Sequence, residues 1–217
     1  MPAFKGYHGY PATICASVND EVIHGIPSGR RALQAGDVIS IDVGAALAGY
    51  YGDSAITLPV GQISEAAALL LRVTEESLYK AIEVVKPGGR VSDIGHAVQS
   101  HVEAHGFSVV REFVGHGVGQ QMHEDPQVPN FCTPAFRKNH DFELEPGLVI
   151  AVEPMVNMGT KKVRVLADSW TQATVDGQPS AHFEHTVAIT DTGPVVLTAP
   201  PAGGETVGGG GAVASRS

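Results

Sequence analysis

Asp42, Asp53, His116, Glu153 and Glu184 are the side chains of this 217-residue sequence whose types and settings invite chemistry. Asp42 stands in the apolar run Val38-Ile39-Ser40-Ile41-Asp42-Val43-Gly44, and Asp53 opens the next apolar run after Gly52. Glu153 closes Leu148-Val149-Ile150-Ala151-Val152-Glu153-Pro154, and Glu184 lies on the strand face shared by Thr186 and Ala188. His116 is centred in Gly115-His116-Gly117-Val118-Gly119. A carboxylate on a buried strand is costly unless it is paired or bound to a metal. Four carboxylates and one imidazole make a hard, oxygen-rich donor set, and their charge nearly balances two divalent ions. Bare, they would repel one another strongly in a low-dielectric pocket. Such a set suits Mn, Fe, Co or Zn, and affinity alone does not choose among them. Two ions about 3.5–4 Å apart would lower the pKa of a bound water and polarise a carbonyl. Local pattern alone leaves a plainer alternative open: a strand-end Asp42 and a turn Asp53, both solvated.

The elements that must position these residues are read from periodicity. Residues two apart on a strand share a face, so Val38, Ser40 and Asp42 point one way and Ile39, Ile41 and Val43 the other. The stretch 38–60 reads as two short strands joined by a Gly-containing bend. Ala12–Val18 reads as a strand carrying Cys15, and 22–27 as a short extended piece in which His24 has no evident partner. Ser64 caps a helix running to about Val85, with Leu71, Leu78, Ile82 and Val85 on one face; Pro87-Gly88-Gly89 stops it. Ser92-Asp93 caps a second helix ending at Gly106. Its His96, His101 and His105 read as solvated or packed side chains, since no Glu follows His101 as a zinc helix requires. Phe107–Val114 reads as a strand leading into a turn whose glycines bring His116 out of the sheet. That turn lacks the third glycine of a phosphate-binding fingerprint. Residues 130–144 read as an irregular loop. Trp170–Val175 and Phe183–Thr190 flank Asp176-Gly177, a hairpin signal. His182 and His185 read as strand-surface or packed side chains. The aromatic loop 1–11 reads either as surface or as the wall of an apolar pocket.

An internal repeat joins these pieces. His24-Gly25-Ile26-Pro27 leads to an Ala35-Gly36 turn and an apolar strand ending at Asp42. His116-Gly117-Val118 leads to Pro146-Gly147 and an apolar strand ending at Glu153. Asp42 and Glu153 are then pseudo-equivalent, as are His24 and His116, and a shared site lies between two related halves.

Composition sets the bounds. Apolar residues make up 43% and charged residues 17%, an ordinary globular balance. The net charge of −9 argues against nucleic-acid binding as a primary role. Two cysteines, Cys15 and Cys132, are too few for a disulfide framework, which fits a reducing, cytoplasmic setting. No apolar run reaches the ~18 residues of a membrane span, and no secretory leader is recognised. Residues 1–198 read as one domain, and the Gly/Pro/Ala-rich stretch 199–217 as a disordered tail.

Taken together, His24-Gly25-Ile26-Pro27, Ile41-Asp42-Val43, Gly52-Asp53, Gly115-His116-Gly117-Val118-Gly119, Val152-Glu153-Pro154-Met155 and Phe183-Glu184-His185-Thr186 resemble the type I methionine aminopeptidases of the pita-bread fold family. The likeness runs from about Gly6 to Leu197. It implies an α+β, pita-bread fold: two pseudo-symmetric halves, a curved antiparallel sheet and covering helices. It implies removal of the initiator methionine from nascent polypeptides with a small second residue. On that resemblance Asp42 chelates one metal and His116 the other, Glu153 joins His116 and acts as general base, and Asp53 and Glu184 bridge. The cofactors implied are two divalent ions (Co, Mn, Fe or Zn). The resemblance also gives His24 a hydrogen bond to the scissile amide nitrogen or the amine, and His123 the tetrahedral intermediate. Tyr7, Tyr10, Cys15, Met122 and Trp170 match the lining of the methionine pocket; apolar, polarisable walls suit a thioether. Met122 stands where an aromatic is common.

Partners follow in the same way: nascent chain N-termini, with ribosome association a further expectation, and a monomer as in the family. A non-catalytic pita-bread protein that binds peptides or the ribosome is the competing reading, and a prolidase-like enzyme a third. The family carries a two-helix segment before the Gly-Tyr-His-Gly-Tyr-Pro loop, whereas this sequence starts close to that loop. The expectation is an uncovered apolar sheet face on the first half, which would favour association.

Overall fold

The computed structural model describes residues 1–200. The expected tail therefore lies almost wholly outside the described residues. After a 3-10 turn at Tyr7–Gly9 come β1 (Cys15–Val18), β2 (Glu21–Ile23), β3 (Val38–Leu47) and β4 (Tyr50–Pro59). Two helices follow, α1 (Glu65–Val84) and α2 (Val91–Ala104), then β5 (Ser108–Val109), β6 (Gly115–Gly117), β7 (Glu124–Val128) and α3 (Pro134–Asn139). The described residues finish with β8 (Val149–Val152), β9 (Met155–Asn157), β10 (Val163–Val165), β11 (Gln172–Thr174), β12 (Ser180–His182), β13 (Glu184–Thr190) and β14 (Gly193–Val196).

The main sheet is antiparallel in the order β1-β3-β4-β13-β8-β6-β7, with β14 added on β13. Its order mirrors the internal repeat about the β4/β13 seam. Asp53 and Glu184 sit on the two central strands, while Asp42 and Glu153 belong to β3 and the end of β8, the next strands out. Two smaller three-stranded sheets, β10-β11-β2 and β12-β9-β5, pack alongside.

Helix α1 forms where the pattern places it. Ser64 Oγ accepts from Ala67 N at 3.1 Å, and Leu70, Leu71, Val73, Leu78 and Ile82 are buried. With α2 they share one core cluster with Ile150, Val152, Val187 and Ile189 from β8 and β13. That covers the second half of the sheet. On the first half, Val43, Ile56 and Leu58 share the outer face of the β3–β4 hairpin, each 44% exposed. The apolar face expected to be uncovered is therefore present among the described residues.

Several elements differ from the sequence reading, for identifiable reasons. The 38–60 strands are ten residues each, because Ala48 (φ 51°) and Gly49 (φ 85°) close a two-residue hairpin. Helix α2 begins two residues early, with Arg90 rather than Ser92 as its N-cap: Asp93 Oδ2 accepts from Arg90 N at 3.2 Å, while Ser92 turns to Asp141. The 107–114 stretch keeps only two residues of strand, and the turn around His116 is itself strand β6. Its glycines do not take positive φ; a Cβ on Gly115 or Gly117 would strike the main chain of Ala151 or Asp125. The 130–144 loop holds α3, where Thr133 Oγ1 accepts from Phe136 N at 3.1 Å and Pro134 opens the first turn. The Asp176-Gly177 turn does not pair its flanking strands. It carries the chain from β11, which pairs with β10 and β2, to β12, which pairs with β9.

Candidate metal centre

Register assembles the site. Cys15 pairs with Asp42, Asp42 with Ala55, and Ala55 with Glu184. Directly opposed residues share a face, so one row across four strands carries a thiol, a carboxylate, a methyl group and a second carboxylate. Continuing the β13–β8 register by one residue sets Glu153 opposite Glu184. Asp53 lies two residues along β4 from Ala55, opposite Gly44 and therefore on the same face. Gly44 has no room for a Cβ, which would come within 2.6 Å of both Phe4 and Met122.

Ligand-type atoms of Asp53, His116 and Glu184 all lie within 4.8 Å of one another. Two ionised carboxylates at that separation repel by about 3–4 kcal/mol at an effective dielectric of about 20. His116 Nδ1 sits 2.9 Å from Gly117 O, which turns Nε2 inward, 3.5 Å from Glu153 Oε1 and 4.0 Å from Asp53 Oδ2. Burial, with Asp53 next, lifts the Asp42 carboxyl well above its usual range. Burial and then the neighbouring carboxylates do the same to Glu153 and Glu184. Burial raises Asp53 to about 6. Asp42 Oδ1 and Glu184 Oε1 are buried without a hydrogen-bond partner among the described residues. Buried acceptors of that kind are costly unless a cation or donor meets them. The donor set therefore fits divalent cations on the structure's own terms.

Two cavities meet here. One of about 310 Å³ is lined by Phe4, Tyr7, Tyr10, Cys15 and Trp170 beside the carboxylates. The other, a cleft of about 820 Å³, runs past Glu112, Phe113, Gln121 and Glu124. His24, His116, His123 and Glu153 border both. His24 is held at φ 59° with its ring edge-on to Phe113, and burial lowers its pKa. His123 packs 4.1 Å from the His116 ring and meets Tyr7 Oη through Nδ1 at 2.8 Å. Burial, then His116 and His24, push it down to about 4. Tyr10 donates to Gly25 O at 2.8 Å and stands edge-on to Trp170. Burial, with Asp42 next, pushes the Cys15 thiol up to about 12.

Of the twelve residues singled out from sequence, eleven border the carboxylate cluster or these cavities. Met122 is the exception: it is 1% exposed and packs with Phe4, Tyr10 and Cys15 behind the wall. Sequence reasoning missed Phe4 and His182. Phe4 lay within the aromatic loop already read as a pocket wall. His182 was read as a packed or surface side chain, yet it lines the smaller cavity, 3.9 Å from Glu153 Oε2. Its signal was the alternation that puts residue 182 on the same side of the chain as Glu184.

A half-barrel of antiparallel strands with clustered carboxylates and an imidazole at a cavity junction defines a metallohydrolase of the carboxylate-rich kind. The model of metallopeptidase family M24 matches residues 3–191, and the chain belongs to that family. It is 59% identical over 198 residues to methionine aminopeptidase 1 of Bacillus subtilis, covering 91% of this chain and 78% of that protein. The crystal structure of a methionine aminopeptidase from Thermotoga maritima superposes with a TM-score of 0.87 at 50% identity, over 91% of this chain and 78% of the other. An X-Pro aminopeptidase from the same organism, 21% identical with a TM-score of 0.66, shares the fold alone. The pita-bread architecture and the use of divalent metal follow from these likenesses together with the site's own chemistry.

Proposed function

We propose that this chain removes the N-terminal methionine from polypeptides whose second residue is small. The observation that carries the reading is convergence. Five ligand-type side chains from both halves of the sheet meet where an apolar cavity joins an open cleft. Asp42, Asp53, His116, Glu153 and Glu184 would hold two divalent ions (Mn, Fe, Co or Zn). When bound, these ions supply Lewis-acid polarisation of the carbonyl and a lowered pKa for water.

The chain's own residues do the rest. Phe4, Tyr7, Tyr10, Cys15 and Trp170 take the thioether side chain, which leaves the first peptide bond between His24 and His123. Both imidazoles are neutral near pH 7. They can therefore hydrogen-bond the amide nitrogen and the developing oxyanion without bringing positive charge into the centre. Glu153 takes the proton of the attacking water as the C–O bond forms. It returns that proton to the departing nitrogen as the C–N bond breaks. The remaining peptide leaves along the wider cleft.

The substrate is then the nascent chain N-terminus. The setting is the cytoplasm, where Cys15 and Cys132, both free, stay reduced. No described helix is long and apolar enough to cross a membrane. Ribosome docking and self-association through the β3–β4 face belong to the same proposal. The non-catalytic alternative gains nothing from the site, which keeps every expected ligand. The test is methionine release from Met-Ala-Ser by the 217-residue chain, metal-free and with Mn or Co added. Release that needs metal and disappears in Asp53→Ala is the expected result. A folded chain that takes up metal and releases nothing would overturn the reading.

A further inference from the structure

His182 is the buried imidazole that the proposed reaction leaves unused. Its main chain is tied down on both sides. The N–H donates to Thr57 Oγ1 at 2.8 Å, Thr57 Oγ1 donates to His182 O at 2.8 Å, and His182 pairs with Met155 in the β12–β9 ladder. The side chain is 3% exposed, and Nε2 has no hydrogen-bond partner among the described residues. The acceptor it faces is Glu153 Oε2, at 3.9 Å. Glu153 is itself half-fixed: Asn130 Nδ2 donates to its carbonyl at 2.9 Å, but its carboxylate makes no hydrogen bond among the described residues. The two carboxylate oxygens thus face two different imidazoles, Oε1 towards His116 and Oε2 towards His182.

We infer that His182 is a positioning residue for Glu153. An Nε2–H to Oε2 hydrogen bond, about 1 Å closer than the present separation, fixes the carboxylate plane so that Oε1 is presented to the cations. Apolar filling alone would be served as well by a phenyl ring at 182, which would bring no donor. With the His182 main chain anchored by Thr57, the carboxylate would be held through an outer-shell partner in the way metal ligands generally are. The inference rests on Glu153 being a metal ligand.

The experiment compares the full chain with His182→Ala, His182→Gln and His182→Phe. Each is shown to be folded by circular dichroism, then titrated with Co(II) by calorimetry and followed by its visible absorption. The expected result is roughly 10–100-fold weaker Co(II) binding at one of the two sites, with an altered spectrum, in the Ala and Phe variants. His182→Gln, whose amide can donate to the same oxygen, should restore most of the affinity and the wild-type spectrum. Where His182→Ala does not fold, the Gln and Phe variants carry the comparison. Wild-type affinity and spectrum in His182→Phe would overturn the positioning role while leaving the metal centre intact. Failure of the wild-type chain to bind Co(II) would overturn the reading of Glu153, and the inference with it.

Discussion

Thr186 is the joint on which the centre turns, and replacing it with Val is the sharpest test of the architecture. The β13–β4 ladder is short, pairing only Glu184 with Ala55 and His185 with Ser54. Beyond it the Thr186 hydroxyl takes over: Asp53 N donates to Oγ1 at 2.9 Å, and Oγ1 donates to Asp53 O at 2.8 Å. Thr186 is 1% exposed and Asp53 4%, so water cannot replace either bond. Valine keeps the shape and strands a buried N–H and a buried C=O, each worth about 1–3 kcal/mol when left unmade. Part of that is offset by the added apolar burial of the new methyl, at roughly 1 kcal/mol. The expected loss is about 1–5 kcal/mol, which for a chain of this size lowers Tm by roughly 2–20 °C. Thermal unfolding would be followed in EDTA, so that metal affinity does not enter. Thr186→Ser, which keeps the hydroxyl and loses one methyl, should cost about 1 kcal/mol. Asp53 and Glu184 should also lose metal affinity together in the Val variant, since the same bonds set their spacing. A Thr186→Val chain melting within about 2 °C of wild type, or a Ser variant as damaged as Val, would refute the reasoning.

Three further outcomes are expected. In the metal-free chain Asp53 titrates near 6 against 3.8 unfolded. The fold therefore retains a proton that the unfolded chain has already lost. Its contribution is fully present below about pH 4 and is gone once pH has risen past about 6, roughly 3 kcal/mol in all. Urea titrations in EDTA should show wild type losing that much relative to Asp53→Asn between pH 4 and 7, and a flat difference would contradict it. Met122→Ala, by opening a cavity behind Phe4 and Tyr10, should cost about 2–4 kcal/mol in unfolding free energy. Because Met122 only backs the pocket, KM should change less than in Trp170→Ala; a larger KM effect at Met122 would place it on the lining. Ile56→Lys with Leu58→Lys, on the exposed β3–β4 face, should reduce any concentration-dependent association seen by light scattering. Stability should change by under ~1 kcal/mol, and unchanged association would move the interface elsewhere.

What was legible in the sequence is what alternation and rarity encode. A carboxylate on an apolar strand is costly wherever it is buried, so Asp42 and Glu184 announced themselves, and the repeat made Glu153 the counterpart of Asp42. The Ser64 cap and the apolar spacing of α1 were equally local and equally readable. The misses share a cause: each depends on a neighbour remote in sequence. Gly115 and Gly117 looked like turn glycines because a missing Cβ reads the same whether it permits a left-handed φ or the close approach of Ala151 and Asp125. The Asp176-Gly177 dipeptide does turn the chain, but which strands then pair is settled by β9 and β10, whose short runs carry little periodicity of their own. Thr133-Pro134 is a readable helix start, but the six residues behind it lack the apolar face that would announce a helix.

His182 is the most instructive case. Alternation puts His182 on the same side of the chain as Glu184, but only the meeting of β12 with the end of β8 puts Nε2 opposite Glu153. Thr57 and Thr186 belong with it, as hydroxyls that replace main-chain pairing where separate strands must be stitched together at the site. Ligands are written into single strands, whereas the groups that hold them still are written into the contacts between strands. Variants at 57, 182 and 186 should accordingly disturb the centre as much as some ligand variants, although the sequence shows of them only that 182 and 186 share a face with Glu184.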